Sequence, residues 1–505
     1  MKKLVSIVIA LTVFLSLISC GGKTPESNPE SQSGGGSSQV TIITPDKTNG
    51  KMGMKAWEKS RQDKFDDENP NIKVDRRVSA TADPKKNVQA IINNLNNEMS
   101  AYTLLTANSY SYAKTVYQTG LTEDWSKYLT EEELNSFDPE IIEAFRSTDG
   151  AITGIPCSIE YPMLGFNRKH LRSEHVKEAL GVDPSAENAN EQVEAIIDNI
   201  KTWDDYYQVA KALSGTYAIS GDVKTVSGYG GYLTDYYIGF GVWEASNGYS
   251  TAKQNADGTI SFDLNNQCTI ETLEFLQKMK REDIIKHDVY LEYTDFFGKI
   301  FSSEIASFIF YPSWSADWFE PNGIYASDVK VINMPMGPSI EALVERKENG
   351  ENVEVPKTNT CFAIAYVLNA RASEEQKKAA VKYALYMYSK EAWTSKLEFA
   401  VEEVIPVVNC PPYVLDDDYK NEYLYANVPE DWKASLNNSM ANKYVFNYNS
   451  DGFISFINSL LPGIVKGSDG SGTYDTTDAI KTRLEQMNTI VYNEWLTAYN
   501  NKVKK

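Results

Sequence analysis

The chain has 505 residues, 42% hydrophobic and 23% charged, a composition that suits a folded protein with two cores more than one small one. Its formal charge is −20, which argues against nucleic acid as a partner, because phosphate contacts need a basic surface. Three scattered histidines, His170, His175 and His287, make no H-E-x-x-H, and neither a G-x-S-x-G elbow nor a G-x-x-x-x-G-K loop occurs.

Taken in order, the chain begins with Lys2-Lys3 and an apolar run over 4–18 that is too short for an ordinary membrane span. The run ends in Leu17-Ile18-Ser19-Cys20, which resembles the lipobox of bacterial lipoproteins. That resemblance implies a signal peptide over 1–19 and a lipid on Cys20. Residues 20–39 are rich in Pro, Ser and Gly with no apolar face, and read as a disordered tether.

The folded body starts with a strand over 40–44, broken at Pro45-Asp46-Lys47. A helix over about 53–67 and a second strand after Asn69-Pro70-Asn71 complete a βαβ opening. A helix around 85–99 and a strand over 102–106 follow, ending in the polar, aromatic loop Asn108-Ser109-Tyr110. In open α/β sheets ligands bind at such strand ends.

The stretch 150–171, GAITGIPCSIEYPMLGFNRKHL, organises what comes next. Asp149-Gly150 is a turn pair, and Pro156 cannot sit in an ordinary central strand because it has no backbone donor. The stretch reads as one extended segment passing between two lobes, with Glu160 and Tyr161 at the junction.

Further on, Thr202-Trp203-Asp204-Asp205 has capping-box spacing and opens a helix. The stretch 228–243, with Tyr232 and Asp235, is dense in aromatics. Asp257-Gly258 fits a hairpin turn; Lys253 and Leu264 stand where a calcium loop needs carboxylates. Ile270, Leu273, Leu276 and Met279 mark a helix, and an apolar strand over 305–311 runs into Trp314. Residues 329–338 read as a second crossing, 360–368 as a strand, and 404–407 as a third crossing. Ser373 to Gln376 has helix-cap spacing, and an amphipathic helix over 475–499 ends the chain.

Several of these phrases, in this order, resemble bacterial extracellular solute-binding protein family 1, the sugar-type, maltodextrin-binding-protein-like receptors of ABC transporters. The matches are "FDDENPNIKV" over 65–74, the "GIPCSIEYPMLGFNRK" crossover, "TWDDYYQVAKAL" over 202–213 and the apolar strand before Trp314. The resemblance covers roughly 40–495. No phrase between 409 and 472 aligns.

The resemblance implies an α/β, two-lobed periplasmic-binding-protein-like fold of type II, with a hinge and an interlobe ligand cleft. Lobe 1 would be 40–155 plus about 330–403, and lobe 2 would be 156–329 plus about 404–505. It implies a binding protein and not an enzyme, without cofactor or metal, that delivers a carbohydrate to ABC permease subunits. The chain would act as a monomer at the cell envelope, touching the membrane only through its anchor.

A sugar site needs aromatic faces and a few fixed polar groups. On that pattern the resemblance implies ligand contacts from Asp46, Lys47, Asn108, Ser109, Tyr110, Glu160, Tyr161, Tyr232, Asp235 and Trp314. Few cations lie in these segments, which favours a neutral ligand. The alternatives are a surface glycan-binding lipoprotein outside an ABC system, a receptor for a peptide or polyamine, and a lipid-anchored glycosidase, for which no motif nominates a carboxylate pair. Cys157, Cys268, Cys361 and Cys410 form no C-x-x-C pair, and spacing leaves both disulfides and buried thiols open.

Overall fold

The computed structural model describes residues 39–45, 54–77, 87–96, 102–107, 109–231, 233, 239–248, 251–255, 257, 259–286, 296–313, 325–403, 409–426, 428, 430–445, 461–469, 472–497 and 500–501. The signal peptide, Cys20, the tether up to residue 38 and the expected crossing at 404–407 lie outside the described residues.

In chain order the strands begin with β1 (Val40–Pro45), β2 (Ile72–Arg77), β3 (Leu104–Ala107), β4 (Ile155–Glu160), β5 (Leu164–Asn167), β6 (Gly215–Ile219) and β7 (Asp222–Tyr229). They continue with β8 (Ala252–Gln254), β9 (Ile260–Phe262), β10 (Ala306–Phe310), β11 (Val329–Ile332), β12 (Asn359–Thr360), β13 (Phe362–Leu368) and β14 (Lys443–Tyr444).

The first lobe is built on β3-β13-β4, in that order, with β13 antiparallel to both neighbours. The expected βαβ opening is present: β1 and β2 pair in parallel, joined by the helix Lys55–Glu68. Ile43 O accepts from Thr103 N at 2.8 Å, so β1 lies beside the start of β3. The helices Glu374–Tyr388 and Tyr110–Gln118 pack on these strands. Ser373 and Gln376 form a capping box, satisfying two backbone donors at the start of the longer one.

The second lobe is built on β11-β5-β10-β7-β6. Here β10 is parallel to β7, while β5 is antiparallel to both β10 and β11. Gly165 sits mid-sheet because a Cβ there would come within 2.8 Å of Tyr311 and 2.9 Å of Val329. The core beside this sheet is aromatic: Trp203 stacks on Phe275 at 4.6 Å, and Trp243, fully buried, donates Nε1–H to the Tyr229 hydroxyl at 3.2 Å. Such ring pairs add about 0.5–1.5 kcal/mol each beyond their area. Thr202 and Asp205 form the expected capping box, and β8 and β9 form the expected hairpin.

Pro156 sits at the tolerated place for a residue without an N–H. β4 is an edge strand of its sheet, and the register slips opposite Pro156, between Ile364 and Ala365. Gly150 takes φ +89°, as the turn before β4 requires.

Sheet membership changes between Glu160, the end of β4, and Leu164, the start of β5. The boundary expected at 155/156 therefore falls at the start of β4, and the chain leaves the first sheet five residues later. The next passage also differs from expectation. β11 pairs with β5, and the helix Pro338–Glu348 that follows packs on the helix Gln267–Arg281 beside the second sheet. The return to the first sheet comes at 359–362, where β12 gives way to β13. A Pro-Met-Gly-Pro stretch (Pro335 to Pro338) after an apolar strand looks like an exit from the sheet, but Gly337-Pro338 is a helix start. All four cysteines after residue 38 are free thiols; Cys157, Cys361 and Cys410 are buried.

Candidate functional site

Three passages of the chain meet where the lobes join. The first, 160–163, is held on the second-lobe side by the segment after β10: Tyr311 N donates to Met163 O at 2.8 Å and Ser313 N to Tyr161 O at 2.9 Å. Ser313 Oγ also accepts from Tyr161 N at 3.0 Å. The second passage, 359–362, runs alongside β14, and Phe362 then registers with Glu160. In the third, the main chains of Cys410 and Ile159 exchange hydrogen bonds of 2.8 and 2.9 Å, and Asp138 N donates to Pro412 O at 2.9 Å.

Glu160 stands at the centre of this meeting point. As the last residue of β4 it is paired on one side by β13 and flanked on the other by 409–410, leaving it 9% exposed. Asn409 donates Nδ2–H to Glu160 Oε1 at 3.4 Å. β3 and β4 both run antiparallel to β13, so their C-terminal ends point the same way. Ser109, two residues past β3, thus emerges at the same end of the sheet as Glu160, the strand-end side where ligands bind in α/β sheets.

Ser109 and Tyr110 have local structural partners. Ser109 is the N-cap of the helix Tyr110–Gln118, its Oγ accepting from Tyr112 N at 3.2 Å. The Tyr110 ring is buried and meets Phe145 edge-on at 6.0 Å. Four residues on, Lys114 is buried too, and that burial pulls its ammonium down to about 8 against the opposing pull of Glu143. Tyr161 is buried at the crossing itself, and burial pushes its phenol well above the ordinary tyrosine range. Asp46, Lys47, Asn108, Tyr232, Asp235 and Trp314 lie outside the described residues.

A charged cluster flanks the junction. Lys443 Nζ lies 2.9 Å from Asp138 and 3.7 Å from Glu140, and Lys357 pairs with Glu140. Desolvation works against the Glu140 carboxylate, but both lysines together hold it below the usual range. A cavity of about 280 Å³ opens here, lined by Glu140, Glu143, Lys357, Lys443 and Tyr444 among others. Its two cations already face carboxylates, so it offers no surplus positive charge to an anion. Among the described residues no cluster of three His, Cys, Asp or Glu could hold a metal ion.

Asn409, Cys410 and Ser313 are the junction residues that sequence reasoning missed. The signal for the first two was the Pro411-Pro412 pair, which forces extended backbone after Asn409-Cys410.

The model of the bacterial extracellular solute-binding protein family matches residues 61–422. No curated protein matches the chain by sequence. Among solved structures, the GacH receptor of Streptomyces glaucescens, studied unliganded and with acarbose, is 10% identical with a TM-score of 0.61, over 90% of this chain and 99% of that one. The maltose/maltodextrin-binding domain MalE from Bdellovibrio bacteriovorus, bound to maltotriose, is 17% identical with a TM-score of 0.58, over 89% and 100%. An ABC transporter solute-binding protein from Thermotoga lettingae, bound with α-D-tagatose, is 14% identical with a TM-score of 0.61, over 90% and 100%. At these identities the likeness is one of fold: two α/β lobes of the type II binding-protein architecture.

Proposed function

The chain belongs to the bacterial extracellular solute-binding proteins, and from that premise we propose that it captures a neutral carbohydrate, an oligosaccharide, between its two lobes and delivers it to an ABC importer. It is a binding protein and not an enzyme. The transmembrane subunits of the importer would be its partners, and the lipid on Cys20 would hold the monomer at the outer face of the membrane. Among the described residues no helix is long and apolar enough to cross a membrane.

The observation that carries this reading is Glu160, a carboxylate held by the main chain on both sides at the passage between the two sheets. A fixed carboxylate accepts hydroxyl hydrogen bonds, which is what a sugar rim offers. The fold likeness to proteins holding acarbose, maltotriose and tagatose supports a sugar over a peptide or polyamine. The pairing of Lys357 and Lys443 with carboxylates supports a neutral one. In this reading Asp46, Lys47, Asn108, Ser109, Tyr110, Tyr161, Tyr232 and Asp235 supply further contacts, and Trp314 stacks on a ring. The lobes divide at 160/164, near 359 and near 409.

The test is a thermal shift of the mature chain against mono- and oligosaccharides, with a peptide mixture and spermidine as controls. Sugar at a hundredfold over its Kd should stabilise by about 2.7 kcal/mol. A response to the peptides or spermidine alone would sink the carbohydrate reading. Separately, Cys20→Ala should abolish detergent partitioning of the processed protein, and retained partitioning would remove the anchor.

A further inference from the structure

The side chain of Asn409 has one end engaged and one end open. Its amide N–H points to Glu160 Oε1 at 3.4 Å, and its carbonyl Oδ1 is enclosed without a hydrogen-bond donor. The orientation follows the hydrogen bond: a carboxylate Oε accepts, so the NH2 end faces Glu160 and the carbonyl points elsewhere. Drift cannot easily relieve the open end, because Cys410 is locked to Ile159 by two main-chain bonds and Glu160 is registered with Phe362. A buried acceptor without a donor is costly, and native structures rarely keep one without a purpose.

Glu160 and Asn409 therefore carry two oxygen acceptors on neighbouring residues of a fixed frame: a carboxylate and an amide carbonyl. A ligand matches both if it carries two adjacent O–H donors. We propose that Glu160 and Asn409 together accept the hydrogen bonds of two neighbouring hydroxyls on the sugar ring, and that Asn409 discriminates against sugars lacking the second. The proposal rests on the carbohydrate reading above and goes further, assigning a specificity role to a residue in a region without a family phrase. Asn409 has a second role in this arrangement, since its N–H fixes the rotamer of the Glu160 carboxylate.

The experiment is calorimetric titration of wild type and Asn409→Ala with the sugar that gives the largest thermal shift, and with its monodeoxy analogues. One deoxy analogue should bind wild type about tenfold or more weakly. Asn409→Ala should bind the parent sugar weaker by a similar factor and should no longer distinguish it from that analogue. Its melting temperature should fall only slightly, because Oδ1 makes no bond within the protein and the variant gives up only the long 3.4 Å contact to Glu160. If Asn409→Ala does not fold, the wild-type deoxy series decides by itself, and uniform affinity across it overturns the proposal. Wild-type affinity of Asn409→Ala for the parent sugar overturns the role of Asn409 and leaves the carbohydrate reading intact. If no sugar binds wild type, the carbohydrate reading fails and the inference falls with it.

Discussion

Ile159 and Cys410 exchange two main-chain hydrogen bonds, 2.8 and 2.9 Å long, 251 positions apart in the sequence. This bridge fastens the third passage of the chain to the outer edge of β4, which would otherwise end the sheet with unpaired backbone groups. Asn409 reaches Glu160 because of it.

The same burial makes the junction thiols inert. Enclosure pushes the Cys410 thiol up to about 12, with the Glu160 charge adding to the effect, and burial pushes the Cys361 thiol up as well. Maleimide should label Cys268, which is partly exposed, and leave Cys157, Cys361 and Cys410 untouched in the native state. All four should label in concentrated guanidinium. Mass spectrometry of peptides decides, and rapid native labelling of Cys410 would show that the bridge opens readily.

His170 gives a pH dependence with a defined window. Burial holds its imidazole down to about 3, with Nδ1 facing the Tyr217 and Ser307 hydroxyls. Above the unfolded value of about 6.5 neither state is protonated, so the group is neutral in effect. Below it the unfolded chain takes up a proton that the folded chain refuses, and stability falls by up to about 1.4 kcal/mol per pH unit. Carboxylates held low, such as Glu123 at about 2, act only below about 4.5 and lie outside that window. Denaturant melts at pH 7 and 5 should show a smaller difference in His170→Asn than in wild type. Equal differences would mean that His170 is not the group responsible.

Lys443 ties β14 to Asp138, and each of the two side chains keeps some solvent exposure, 13% and 15%. Lys443→Met should cost roughly 2 kcal/mol by leaving Asp138 without its cation, less than for a fully enclosed pair. Adding Asp138→Asn should recover about half of that loss. Urea denaturation of the four proteins in the double-mutant cycle measures the coupling. Strict additivity would show that the pair contributes nothing.

For Glu160, replacement by Gln preserves shape and removes charge. Affinity for the captured sugar should drop by about ten- to a hundredfold, from a charge-assisted bond worth roughly 1.5–3 kcal/mol. Unchanged affinity would move the ligand away from the crossing.

The three passages at the junction also bear on motion. Two lobes linked by a few strands favour hinge closure on a ligand. Small-angle scattering should show a smaller radius of gyration with saturating sugar, and an unchanged radius would argue for a site that does not close.

Much of the frame could be read along the chain, because local patterns carry it. The capping boxes at Thr202 and Ser373, the Asp257 hairpin, the edge-strand position of Pro156 and the Glu160–Tyr161 crossing each follow from a few adjacent residues. The return passage did not. The segment 329–338 has the composition of an exit, and only the pairing of β11 with β5 keeps it in the second lobe. Strand pairing depends on which distant segment arrives at a given edge, and no local period records that.

The site divides in the same way. By itself the sequence determined that a carboxylate and a phenol stand on an extended segment, since the prolines at 156 and 162 hold the backbone beside them out of a helix. Only the tertiary structure decided which of them keeps an acceptor at the junction. Tyr161 is enclosed, while Glu160 meets an amide brought from Asn409. That amide arrives through main-chain bonds to Ile159, and both backbone groups are present in every residue but proline, so side-chain identity leaves no trace of the pairing in the sequence.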